Sequence, residues 1–307
     1  MNKPASMRVP GPGEVVVIDV FVGTHDGNGS GSRGGNPVPL VADARGMSAA
    51  AMQQVAAAHG HESAFVLPAS DAGCDLRLRF FVPQHEMEMC GHATVGTLWA
   101  LRQWGRWSTD TARVETLSGI VDARWDAAAR RVWISQPAVR TRPLAAPERR
   151  RVAEVLGLGP EGAGFAMTNA ATSRVKTLVA LPDAAMLHAL RPDFAAMEAA
   201  CAAIGSTGLY PYAIAPGAAG GHAVAHARQF PKSSGYPEDA ATGIAAAALW
   251  GHLAGSGALA GAHGEPSALA VRQGESMGRP SEILVAPRWS ETGAPRGCWL
   301  SGKVAWA

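Results

Sequence analysis

The spacing of apolar and polar positions changes period repeatedly along the chain, and the changes mark its elements. "EVVVIDVFVG" (14–23) is rich in β-branched residues and stops at glycine, which predicts a buried strand. "SAAAMQQVAAAHGH" (48–61) has a serine cap, helical apolar spacing and a glycine stop. "ESAFVLP" (62–68) returns as a strand whose first residue, Glu62, stands at a helix-to-strand junction where a side chain can project into a cleft. "CDLRLRFFVP" (74–83) alternates as a strand does, "QHEMEM" connects, and "HATVGTLWALRQW" (92–104) is helical. The stretch "RVETLSGIVDARWDAAARRVWISQP" predicts antiparallel hairpins with "DAAA" as a turn.

After Pro137 comes "AVRTRPLAAPERRRVAEVLGLGPEG", first proline-containing and then helical, a crossover to a second lobe. That lobe repeats the order of the first. "HAVAHARQFPKSSGYPEDAATGIAAAALWGHL" (222–253) gives strand, turn, small residues and an alanine-rich helix, in the sequence of events of 74–101. Laid on one another, Cys90-Gly91-His92-Ala93 meets Ala240-Ala241-Thr242-Gly243. The polar, glycine-rich "THDGNGSGSRGGNP" is a surface loop; its "GSGSRG" (29–34) fits G-x-G-x-x-G, but "NPVPLVAD" follows instead of the helix a dinucleotide site requires. The glycine patterns in 251–274 fall between helix and strand and read as flexible connection.

Composition narrows the class. The 307 residues are 47% hydrophobic and 17% charged, enough for packed cores, and a chain of this size favours two lobes. The formal charge of +2 is spread over both halves without a basic stripe, so nucleic acid is not an expected partner. No apolar run reaches the length of a membrane span, and the proline-containing start does not fit a signal peptide, so a cytoplasmic location without membrane attachment is expected. The four cysteines are far apart with no Cys-x-x-Cys pair, so reduced thiols are expected in place of a disulfide framework or zinc knuckle.

Both overlaid segments put small residues at the first turn of a helix, where unbonded N–H groups and the positive end of the dipole favour an anion. Gly91 and Gly243 are equally compatible with plain tight turns, and the duplication favours the anion reading. Two histidine groups invite a metal. His222 and His226 share a strand face but stand roughly 13 Å apart at about 3.3 Å per residue, and "HGHE" (59–62) lacks a third ligand. No metal is expected. The nucleophile pattern G-x-S-x-G is absent. Cys90 reads either as a nucleophile activated by a helix start or as a small buried apolar group.

"DVFV" (19–22), "GNPVPLV" (35–41), "ESAFV" (62–66), "RFFVPQHEMEMCGHATVGT" (79–97), "EDAATGIAAAAL" (238–249) and "RQGESMGRPSEILV" (272–285) occur in the order and spacing of the phenazine-biosynthesis PhzF-like family. The resemblance covers roughly residues 15 to 303. It implies the diaminopimelate epimerase fold, which is α+β, with two similar lobes, each a mostly antiparallel sheet or barrel wrapped around a central helix. The lobes are expected at 1–137 and 138–292, with a strand near 293–307 as a candidate to return to the first.

The same resemblance implies roles. Glu62 matches the glutamate that shuttles a proton in the family's isomerases, and His92 and Asp239 match polar residues that orient substrate. Asn36, Gly91, Ala93, Thr242, Gly243 and Gly274 match substrate-binding positions, in a cleft between the lobes. The family's E-D-P-A-T-G-S is here Glu238-Asp239-Ala240-Ala241-Thr242-Gly243-Ile244, so a proline and a serine are lost, and Ile244 has no hydroxyl to offer an anion. The overlay sets Ala240 opposite Cys90, which argues against a two-thiol racemase. The expected activity is a cofactor-independent proton-transfer isomerisation of a small carboxylate-bearing metabolite, in a homodimer. Competing readings are a non-catalytic anion-binding or regulatory protein of the same fold, an epimerase or racemase, and a metal-dependent hydrolase.

Overall fold

The computed structural model describes residues 8–23, 34–215, 222–261, 265–290, 292 and 295–307. Most of the glycine-rich loop, including 29–33 of "GSGSRG", lies outside the described residues. The chain divides into two units: Met1–Val22, Gly35–Ser135 and Leu300–Ala307 form the first, and Gly23–Gly34 with Gln136–Trp299 the second.

The first unit contains strands β1 (Val15–Val20), β2 (Asn36–Val41), β3 (Ser63–Leu67), β4 (Leu76–Phe81), β5 (Glu86–Met87), β6 (Thr111–Thr116), β7 (Gly119–Asp126) and nearly all of β8 (Arg131–Gln136). Its helices are α1 (Ala49–His59) and α2 (Gly91–Gln103). Antiparallel pairs β1–β2, β3–β4 and β6–β7 are joined by parallel pairs β2–β3 and β4–β6. Helix α1 begins where Ser48 accepts from the Ala51 N–H and ends at Gly60 in the left-handed region, as the sequence pattern requires. Its Met52 and Ala56 pack with Val41, Phe65 and Phe81.

Helix α2 packs against β1, β2 and β3. It lies so close to β1 that a Cβ on Gly96 would come within 2.5 Å of the Val20 side chain and 2.8 Å of Ile18, which leaves room only for glycine. At its other end Trp99 and Trp104 stack on Trp306, with ring centroids 5.0 and 5.2 Å away. Trp306 belongs to the C-terminal strand Val304–Trp306, which pairs with β1, and Ser301 donates to the Val132 carbonyl at 2.6 Å, so the C-terminal segment is part of this unit.

In the second unit β9 (Arg140–Pro143), β10 (Met167–Ala171), β11 (Val175–Ala180), β12 (Gly208–Ile214), β13 (Ala223–Ala227), β14 (Phe230–Pro231), β15 (Leu269–Gln273) and β16 (Ser281–Trp289) accompany helices α3 (Ala146–Val155), α4 (Ala184–Ala189), α5 (Met197–Ala203) and α6 (Gly243–Gly255). The proline-containing crossover is thus partly a strand, β9, paired with β10. The pairing pattern of the first unit recurs: antiparallel β10–β11, β12–β13 and β15–β16, joined by parallel β11–β12 and β13–β15. Helix α6 packs on β10, β11 and β16. Two units with the same alternation of pairings, each with a thirteen-residue helix against its sheet, make the fold α+β with an internal repeat.

Candidate active site

Three reactive side chains meet at the start of α2. Glu62 is the residue immediately before β3, and Cys90 is the N-cap of α2 in extended conformation (φ −134°, ψ 111°). His92 is the second helical residue. Glu62 Oε2 lies 3.2 Å from His92 Nε2 and accepts from the Cys90 thiol at 3.5 Å. The thiol is 3.4 Å from His92 Nδ1, so each of the three groups touches the other two.

Burial differs among them in a way that matters for chemistry. The His92 side chain is 6% exposed and Glu62 is 22% exposed, so the carboxylate is the member of the trio a small molecule can reach. Cys90 is buried, and its carbonyl is taken by the Thr94 N–H at 3.0 Å and the Thr94 hydroxyl at 2.7 Å. The first-turn amides of Gly91, His92 and Ala93 stand where no intrahelical carbonyl precedes them, beside this carboxylate-imidazole pair. Of the positions the resemblance implies, Glu62, Gly91, His92 and Ala93 stand together here, and Cys90, left open between nucleophile and filler, lies among them. Asn36 is the first residue of β2, opposite Val20.

The second unit has its own constructed helix start, at α6. Thr242 is the N-cap, and its hydroxyl donates to Asp239 Oδ2. The fully buried Gln273 ties this corner together. Its Oε1 accepts from the Thr242 N–H at 3.2 Å and from the Tyr210 hydroxyl at 2.9 Å, while its Nε2 donates to the Asp239 carbonyl at 2.7 Å and to the Thr242 hydroxyl at 3.1 Å. Burial first, then the Asp239 charge, pushes the Tyr210 phenol far up, so it remains a hydrogen-bond donor. Gly274 follows with φ +78°, and a Cβ there would lie 2.2 Å from the Arg279 carbonyl and 2.9 Å from that of Ala240. Asp239, Thr242, Gly243 and Gly274 thus share one corner. Alongside it Arg228 holds Glu238 through two bonds of 2.9 and 2.7 Å.

Counted from the helix starts, Thr242 takes the place of Cys90 and Gly243 that of Gly91. This is two residues out of step with the motif overlay, which set Ala240 opposite Cys90. Asp239 bridges backbone to backbone with Gln229 four residues before α6 opens, the spacing that separates Met87 of β5 from the start of α2. Gln273 and Tyr210 were not among the residues singled out from sequence. Gln273 lies within the quoted "RQGESMGRPS", but nothing local reveals that its amide reaches back to Thr242 across 31 residues.

Among the described residues two groups of three place potential ligand atoms within 4.8 Å of one another: Glu62, Cys90 and His92, and a second set of His188, His226 and Glu275. Neither His59–His61 nor His222 belongs to one. No helix among the described residues is long and apolar enough to cross a membrane.

The pattern of the phenazine biosynthesis-like protein family matches residues 29–303. An uncharacterized isomerase of Deinococcus radiodurans is 36% identical over 258 residues, covering 82% of this chain and 81% of its own. The trans-2,3-dihydro-3-hydroxyanthranilate isomerase of Pseudomonas chlororaphis is 31% identical, covering 87% of each chain. Among solved structures, the PhzF-family phenazine biosynthesis protein of Bacillus anthracis superposes with a TM-score of 0.78 at 23% identity, over 95% of this chain and 96% of its own.

Proposed function

The chain belongs to the phenazine biosynthesis-like family and is an isomerase, and from that premise we propose that it moves a proton between two carbons of a small carboxylate-bearing metabolite through Glu62 alone, without metal or organic cofactor. The observation that carries this reading is the placement of the Glu62 carboxylate, reachable from solvent yet backed at 3.2 Å by a buried imidazole. A carboxylate so held can take a proton from an acidic carbon, exchange it with solvent at this partly exposed position while it is the carboxylic acid and the substrate anion is delocalised, and deliver a proton to a second carbon on the same face. Atoms balance, since one proton leaves the first carbon and one is delivered to the second.

His92 orients the carboxylate and hydrogen-bonds it in its charged form. Cys90 fills the space between them. The first-turn amides of Gly91, His92 and Ala93 are suited to the substrate's carboxylate, which the N-terminal end of the helix dipole favours. Asp239, Thr242, Gly243, Gly274 and Asn36 are proposed as substrate-contacting residues on the family resemblance. The loss of the family's serine at Ile244 favours a substrate with less to hydrogen-bond there than the dihydro-hydroxyanthranilate handled by the Pseudomonas chlororaphis relative.

The test is an assay of that compound and of a panel of small β,γ-unsaturated and hydroxy carboxylates by proton NMR. Isomerised product from at least one, lost in Glu62→Gln, supports the reading. Binding of panel members without any turnover points instead to a non-catalytic anion-binding protein.

A further inference from the structure

The second unit contains a cluster that the isomerase reading does not use. His188 on α4, His226 on β13 and Glu275 in the turn after β15 converge from three separate elements. His226 Nδ1 lies 2.7 Å from Glu275 Oε2, and His188 Nε2 lies 3.7 Å from the same oxygen. The two imidazole rings meet edge to face, with centroids 6.2 Å apart. We propose that these three side chains form a binding site for one divalent transition-metal ion of borderline softness, of the Zn²⁺ and Co²⁺ class.

Four observations support the assignment. First, the donor set is two imidazoles and a carboxylate, which suits Zn²⁺ and its neighbours and leaves a fourth position open. Second, the candidate ligand atoms already lie within 4.8 Å of one another, so seating an ion about 2 Å from each calls for small shifts, opening the 2.7 Å His226–Glu275 pair and drawing His188 in, rather than a rearrangement. His188 is 38% exposed on a short helix and is the member with room to make it.

Third, the far ring nitrogen of His188 is held. Nδ1 lies 2.8 Å from the Ser276 hydroxyl, which fixes the ring and leaves Nε2 facing Glu275, the arrangement that metal-binding histidines show in their outer contacts. Fourth, His188 and Glu275 line a cavity of about 640 Å³, together with Arg191, Phe194, Arg228 and Glu238, which gives an ion an entry path and room for a water on the open position. The cavity's Arg228 is already spent on Glu238 at 2.7 Å, so its charge is largely offset.

An ion here adds a link between α4 and the β13–β15 pair to the His188–Ser276 hydrogen bond already present. It also competes for the contact between His226 and Glu275, since both atoms of that 2.7 Å pair become ligands.

The experiment is titration of the metal-free full-length protein with Co²⁺ and Zn²⁺, following the cobalt d–d spectrum, bound stoichiometry and melting temperature. The proposal expects wild type to bind an ion that raises the melting temperature, and expects His226→Ala and Glu275→Gln, checked as folded by circular dichroism, each to lose one ion per chain and the accompanying stabilisation. The lost Co²⁺ should carry no sulfur-to-metal charge-transfer band, and Cys90→Ala should leave it in place, which separates this site from Glu62–Cys90–His92. Ser276→Ala removes only the hydroxyl behind His188 and should weaken binding by about tenfold, the lower end for outer contacts of metal ligands. Absence of a bound ion in wild type, or retention of the full complement in both His226→Ala and Glu275→Gln, overturns the proposal.

Discussion

The starts of α2 and α6 occupy equivalent places in two repeated units, yet they are built for different ends. At α2 the N-cap is Cys90, which makes no side-chain capping bond, and the neighbouring acid, imidazole and thiol touch only through their reactive atoms. At α6 the N-cap Thr242 is tied on both sides, its hydroxyl to Asp239 and its N–H to a fully buried Gln273 whose amide makes four bonds. On the proposed mechanism, the first helix start keeps its polar side chains for chemistry, while the second commits most of its own to hydrogen bonds that hold a corner of the fold. A repeat thus conserves backbone pattern while its two copies divide labour between reactivity and rigidity.

If that division is right, removing Gln273 should damage stability far more than any single change at α2. Gln273→Leu takes the amide away from the Tyr210 hydroxyl, the Thr242 N–H and the Asp239 carbonyl, at about 1–3 kcal/mol for each buried bond lost, so a loss on the order of 3 kcal/mol or more is expected in urea unfolding. A loss under about 1 kcal/mol would show that the corner is not a structural device.

Glu62→Gln is the complementary change. Turnover should fall by about 10² or more while the unfolding midpoint barely moves, the range expected when a general acid-base is removed. His92→Ala should follow it in turnover. A stability loss from Glu62→Gln as large as that from Gln273→Leu would erase the contrast.

Gly274→Ala sharpens the claim that the α6 corner is rigid. With φ at +78° and a carbonyl 2.2 Å from the added methyl, it should cost about 1–3 kcal/mol as a strained backbone position. The smallest effect is expected at Cys90→Ala, which removes a thiol but neither the base nor its imidazole. Most activity should remain, and a dead Cys90→Ala beside an active His92→Ala would make the thiol the catalyst.

How far the sequence could take this depends on the range over which its signals act. Helix α1 was legible because Ser48 and Gly60 are local signals at its two ends, and the meeting of Glu62 with His92 followed from the family resemblance, whereas the contact of both with Cys90 did not. Glu62 itself precedes β3 by one residue instead of opening it, a boundary that only the pairing of Ser63 with Phe81 sets. The two-residue offset escaped because the overlay aligned runs of small residues, whereas the helices open at Gly91 and Gly243. Gln273 escaped because its contacts join segments with no shared pattern, and so did the His188, His226 and Glu275 set. His226 and Glu275 are 49 residues apart and meet only because β13 and β15 run parallel in register. The histidine spacing that drew attention, His222 and His226, runs along the chain, with His222 just before β13, whereas the partners of His226 come from α4 and from the turn after β15.

The measurement that bears most directly on Glu62 as a single proton shuttle is turnover in deuterated water with the substrate identified by the carboxylate panel, read by mass spectrometry and NMR for deuterium bound to carbon. Wild type should place deuterium at the carbon that receives the proton, at no more than one atom per product, and Glu62→Gln, folded and still binding substrate, should place none. Deuterium incorporated by folded Glu62→Gln at the wild-type rate would contradict the account.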